Sequence, residues 1–146
     1  MLFRSSSLNK IDTFLYRMWE EQKILSYRFA KPMIRRKSRN DVKRIFQGCR
    51  IDRAINFNGY VNETIALIEE MPCPRIIFAH NDMDEEINKK KNVDRSLLSH
   101  AYQTYDSVAI VTPDLYECTQ KVASYWKGKW CSKKANIVVE IGRAHV

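Results

Sequence analysis

A chain of 146 residues is long enough for one domain with a real hydrophobic core, and 45% hydrophobic with 29% charged residues is the balance of a globular protein. No apolar run approaches the roughly 18–20 residues needed to cross a bilayer, and residues 1–7 lack the sustained apolar stretch of a signal peptide. The net charge of +8 gathers in residues 31–53, 89–91 and 127–134, which suits a nucleic acid, an anionic membrane or phosphorylated substrates, or simply forms a solvated basic face.

Residues 8–30 read as a helix, because Leu8, Ile11, Leu15, Met18 and Trp19 recur at three- and four-residue spacing. Pro32 ends or kinks it. A further helix over 40–46 places Val42, Ile45 and Phe46 on one side, and Gly48 closes it. Residues 54–57 form a short strand, broken by Asn58-Gly59. Residues 61–71 are helical, stopped by Pro72-Cys73-Pro74. Residues 75–80 make a second strand, apolar enough to be buried on both faces. Residues 81–91 are polar, a loop or short helix. A helix over 96–105 carries Leu97, Leu98, Ala101, Tyr102 and Tyr105 as its stripe, with Asp94 or Ser96 as cap. Residues 107–112 are a third strand. Pro113, Asp114 and Glu117 announce a helix to about residue 126, and residues 136–140 are a fourth strand.

This alternation predicts an α/β fold, a Rossmann-like parallel sheet with flanking helices. Four cysteines, Cys49, Cys73, Cys118 and Cys131, fit no zinc or redox spacing. Two lie beside apolar elements and read as buried thiols. No metal site is expected, and a reducing cytoplasm is the simplest compartment. His100 reads as an exposed helical residue. Residues 141–146, Ile-Gly-Arg-Ala-His-Val, read as a non-native tail from a sequencing adaptor.

In open α/β sheets ligands gather at the carboxyl ends of the strands. Three such ends carry candidates. Asn58-Gly59-Tyr60 follows the first strand, where a glycine permits a tight turn or a close approach to a ligand. His80-Asn81-Asp82 follows the second: His80 can act as a base toward a hydroxyl, with Asp82 or Asp84 orienting the ring or taking the proton itself. Thr112-Pro113-Asp114 follows the third, where Thr112 caps the next helix or touches substrate. The plain alternatives are a turn, a structural histidine and a cap. The aromatics Tyr102, Tyr105, Tyr116, Tyr125 and Trp126 read as core or interface. No GxGxxG, GxxxxGK[ST] or GxSxG is present, so no complete nucleotide-binding domain is visible.

Across residues 43–139 four segments occur in order: Lys-Arg-Ile-Phe at 43–46, Asp-Arg-Ala-Ile-Asn-Phe-Asn-Gly-Tyr at 52–60, Arg-Ile-Ile-Phe-Ala-His-Asn-Asp-Met at 75–83 and Ala-Tyr-Gln-Thr-Tyr-Asp-Ser-Val-Ala-Ile-Val-Thr at 101–112. Together they resemble the N-terminal half of bacterial family 4-type glycosyltransferases, of the kind associated with CDP-glycerol glycerophosphotransferases in teichoic-acid and surface-polysaccharide synthesis. The resemblance implies a partial GT-B fold over residues 1–140, whose N-terminal domain binds the acceptor. It implies a nucleotide-diphosphate-activated donor held by a further C-terminal domain, without which the chain is inactive. His80 matches the cleft-lining histidine, and Asn58, Gly59 and Tyr60 match an acceptor-facing segment. The acceptor is then a polysaccharide or a lipid-linked hydroxyl, and the protein works in the cytoplasm, in contact with the inner face of the plasma membrane. The family's opening strand and glycine turn are missing before residue 50, which implies a start inside the gene.

Two other classes fit less well. A basic nucleic-acid-binding module rests on net charge and on the basic run from Arg35 to Arg44, but no recognition motif accompanies it. A receiver-like regulatory domain would need an acidic cluster where Asn58-Gly59-Tyr60 stands.

Overall fold

The computed structural model describes residues 9–21, 25–125 and 135–139. Helix α1 (Lys10–Glu20) opens on Asn9, whose side chain accepts the Asp12 N–H at 2.8 Å. Helix α2 (Tyr27–Ile45) opens on Ser26. The stripe predicted as one helix over 8–30 is therefore divided, and the segment at 40–46 is the last part of α2. The division has a tertiary cause, since the first N–H of α2, that of Tyr27, is bound by the distant Asp94 carboxylate. Pro32 sits inside α2 without ending it. Pro32 and Arg28 are both exposed, and the missing proline N–H removes one backbone donor from α2. Gly48, at φ +75°, leads the chain away from α2 as expected.

Four short strands follow: β1 (Ala54–Asn56), β2 (Arg75–Ala79), β3 (Ser107–Ile110) and β4 (Ile137–Val139). They pair in the order β1-β2-β3-β4, all parallel, in one sheet. Between them run α3 (Asn62–Glu69), α4 (Met83–Glu85) with a π-helical turn at Glu86–Lys90, α5 (Arg95–Thr104), and a 3₁₀ turn at Pro113–Leu115 leading into α6 (Tyr116–Ala123). The fold is α/β and Rossmann-like, a parallel sheet flanked by helices. Among the described strands the order has no reversal.

Alternate strand residues face opposite sides of a sheet. Ile77, Ala79, Val108 and Ile110 join one buried cluster with Tyr16 and Trp19 of α1, Tyr27 and Ile34 of α2, Ile65 of α3, Leu97 and Tyr102 of α5 and Val122 of α6. The other face carries Ile55 and Phe57, 55% and 61% exposed, with half-buried Ile76 and Phe78. Arg75 ties the amino edge of β2 to the helices. Its guanidinium donates to Thr104 O at 3.0 Å and to Glu69 O, at the carboxyl ends of α5 and α3, where a cation also suits the helix dipoles.

His100 departs from its expected exposure. It is 8% exposed, with Nδ1 against Glu69 and Nε2 3.0 Å from Lys31 Nζ. The stripe of α5 is wider than its apolar residues suggest because α2, α3 and α6 all pack on it. The buried-thiol reading also fails among the described cysteines. Cys49 is exposed, and Cys73 and Cys118 are only half-buried; Cys131 and Trp126 lie outside the described residues. Tyr102 and Tyr105 are core, but Tyr116 and Tyr125 are 45% and 49% exposed.

Candidate functional site at the carboxyl edge of the sheet

Register decides which candidates meet. Asn56 pairs with Ile77, and Ala79 with Ile110. The turns after β1, β2 and β3 therefore leave the sheet along one edge. Asn58, His80, Asn81, Asp82 and Thr112 belong to that edge, and all but half-buried His80 are exposed.

His80 continues the alternation of Ile76 and Phe78, so its ring lies on the less covered face. It stands 4.3 Å from the Phe57 ring and is stacked at 5.5 Å on Phe78, with 15° between the planes. Its Nε2 is buried and has no hydrogen-bond partner. An imidazole nitrogen in that state still has its full capacity to accept or donate one proton. Phe57 and Phe78, which build this environment, went unnoticed in the sequence. Their signal was the two-residue period through Ile55 and Phe57 and through Ile76, Phe78 and His80.

The carboxylates do not orient His80. Asp82 Oδ1 accepts the N–H groups of Asp84 at 2.9 Å and Glu85 at 3.1 Å, which makes Asp82 the cap of α4. Asp84 accepts Lys121 Nζ at 2.8 Å and Arg95 Nη2 at 2.9 Å. The Lys121 hydrogen bond, then the nearby cations, hold its carboxyl below the usual carboxylate range, so it stays ionised and is a poor base.

Gly59 is explained by packing. A Cβ at this position would overlap the Phe78 carbonyl oxygen on β2, so the turn after β1 lies against the strand itself. The Asn58 carbonyl accepts the Tyr60 N–H at 2.7 Å and closes that turn. Tyr60 leaves the edge. It lines a hollow with Glu20, Asn62, Glu63 and Asn92, none of which accompanies His80. Thr112 occupies the capping position of the 3₁₀ turn, but its side chain makes no cap bond. The Thr112 carbonyl instead accepts the Leu115 N–H at 3.2 Å, and the hydroxyl is exposed at the edge.

The basic run of α2 is largely spent within the domain. Arg35 and Arg39 both reach Glu70, Arg36 reaches Asp12, and Lys37 and Arg44 share Asp41. In the 89–91 run, Lys89 and Lys90 pair with Glu85 and Glu86 one turn earlier. Among the described residues no group of three or more His, Cys, Asp or Glu is placed to hold a metal ion, and no helix is long and apolar enough to cross a membrane. The chain matches no known family model, and no curated protein is similar to it.

Proposed function

We propose that this domain is the acceptor-binding part of a transferase that moves a sugar or glycerol-phosphate unit from a nucleotide-activated donor to a hydroxyl. The observation that carries the reading is His80, with a buried, unpartnered Nε2 at the carboxyl edge of β2, packed against two phenyl rings. The resemblance of residues 43–139 supplies the reaction class. In this reading the His80 imidazole takes the proton of the acceptor hydroxyl as its oxygen attacks the donor. With a sugar donor the bond from the sugar to the nucleoside diphosphate breaks and the diphosphate leaves with the electron pair; with a glycerol-phosphate donor the phosphoanhydride breaks and the nucleoside monophosphate leaves with it. Asn58, Asn81 and Thr112, exposed along the same edge, hydrogen-bond the acceptor. Phe57 and Phe78 exclude water from one side of the imidazole. The donor is bound by a second domain, so the domain alone does not catalyse transfer. Paired charges on α2 and on the 85–90 turn weigh against nucleic acid as the partner. The acceptor is lipid-linked or polymeric, and contact with an anionic membrane face uses the cations left exposed.

The test is transfer activity of this domain joined to a donor-binding domain. His80→Ala is expected to lower kcat about 10²–10⁴-fold. A rate within about threefold of the parent would remove His80 from the reaction.

A further inference from the structure

Helices α1, α2, α3, α5 and α6 all send buried residues to one face of the sheet. A parallel sheet ordinarily has both faces covered. Among the described residues the opposite face, that of Ile55, Phe57, Ile76 and Phe78, is left partly open. Phe57 is the most exposed of the four at 61%, although its ring meets Phe78 at 5.3 Å and His80 at 4.3 Å. Those two rings hold it beside the candidate base, and the rest of its surface meets solvent. An exposed aromatic fixed next to a reactive side chain is a surface a ligand can use.

Charge narrows the kind of ligand. The turns after β1, β2 and β3 span residues 57–61, 80–82 and 111–112. Apart from His80, their only charged side chain is Asp82, and Asp114 follows in the adjoining 3₁₀ turn; both carboxylates are exposed. Lys121 and Arg95 are paired with Asp84. An edge with two open carboxylates disfavours a phosphate through like-charge repulsion. Asn58 and Thr112 expose an amide and a hydroxyl there, neutral groups that both donate to and accept from hydroxyls.

A phenyl face beside neutral polar groups and carboxylates matches an uncharged polyol that has an apolar side of its own. A pyranose ring has one. Its C–H bonds carry slight positive charge and meet the negative face of the phenyl ring, and the contact removes apolar area from water. Glycerol, an open chain, presents no comparable flat face. We propose that Phe57 is the stacking platform for a neutral sugar ring of the acceptor, and that it selects this ring over phosphorylated or open-chain hydroxyl compounds. The inference rests on the transferase reading of the same edge and names the acceptor unit that the edge takes. A sugar lying on Phe57 has its hydroxyls beside the His80 imidazole, with Asn58 next in the chain.

NMR titration of the full chain tests it, with methyl glucoside, methyl glucoside 6-phosphate and glycerol as probes and the Asn58 and His80 resonances as readout. Saturable shifts with methyl glucoside are expected, with affinity at least about fivefold above that for the 6-phosphate or glycerol. Phe57→Ala should weaken glucoside binding at least about fivefold, and Phe57→Tyr, which keeps the ring, should restore it. Phe57→Leu keeps apolar bulk without a flat face and serves in place of Phe57→Ala should that chain lose its folded spectrum. Equal or tighter binding of glycerol or the 6-phosphate overturns the inference and leaves the transferase reading standing. So does undiminished glucoside binding in a folded chain without the Phe57 ring. If no probe moves the Asn58 or His80 resonances below about 100 mM, the inference and the transferase reading fall together.

Discussion

Asp94 binds the backbone N–H of Tyr27 at 2.8 Å across 67 positions of sequence. The same carboxylate caps its own helix through Leu97. One side chain therefore sets where α2 begins and where α5 begins, and it fixes the two helices against each other. Each N-cap bond contributes about 0.5–2 kcal/mol. Asp94→Ala removes two, and the expected loss is about 1–4 kcal/mol in urea unfolding. A loss below about 0.5 kcal/mol would mean that the α2 start is held by other contacts.

Glu20 and Glu63 meet where α1 packs near α3. Burial first, then the charge and hydrogen bond of Glu63, push the Glu20 carboxyl up to about 7, against a smaller opposing effect of Lys37. The folded pKa lies above the unfolded value, so the native state holds a proton that the unfolded chain releases. Below about pH 4.5 both states are protonated and no penalty exists. Stability from this pair then declines as pH rises toward 7, and the full penalty remains above that. Because Glu20 is only half-buried, solvent screening reduces the effect. Glu20→Gln should raise Tm at pH 8 and leave it nearly unchanged at pH 4.5. An equal change at both pH values would contradict the assignment.

Gly59 is required by the close passage of its turn over β2. Gly59→Ala forces its Cβ against the Phe78 carbonyl, and a cost of about 1–3 kcal/mol is expected. The displaced strand carries Phe78, on which His80 stacks. The His80 ring resonances should therefore shift in the same variant. A stable Gly59→Ala chain with unmoved His80 resonances would show that the turn has room to relax.

Self-pairing of the α2 cations predicts weak nucleic-acid binding. A gel shift at about 150 mM salt should show no retarded duplex, because few phosphate contacts remain to release counterions. Retardation that survives this salt would favour the basic binding-module reading. Vesicle sedimentation addresses the membrane contact: binding is expected only with anionic lipid, and it should weaken as salt rises.

The sheet was legible in the sequence because its strands are short apolar runs between turn residues. Residues 75–80 and 107–112 were read within a residue or two of Arg75–Ala79 and Ser107–Ile110. The site was legible only as a place. Strand ends pointed to Asn58, His80 and Thr112, and parallel register puts those turns on one edge. Adjacency in sequence did not show which neighbours these side chains engage. Asp82, two residues from His80, caps α4, and Tyr60, two residues from Asn58, lines another hollow. The break before α2 and the burial of His100 depend on Asp94, Glu69 and Lys31, all distant in sequence. Periodicity carries no information about such partners.

The most direct test of the central claim is a titration of this chain followed at the His80 ring by NMR, with glycerol and a soluble oligosaccharide as hydroxyl acceptors. The account predicts saturable shifts of the His80 ring protons, together with the backbone amides of Asn58 and Asn81, lost in His80→Gln. If these resonances stay fixed through the titration while the spectrum remains that of a folded chain, the carboxyl edge does not bind an acceptor and the transferase reading fails.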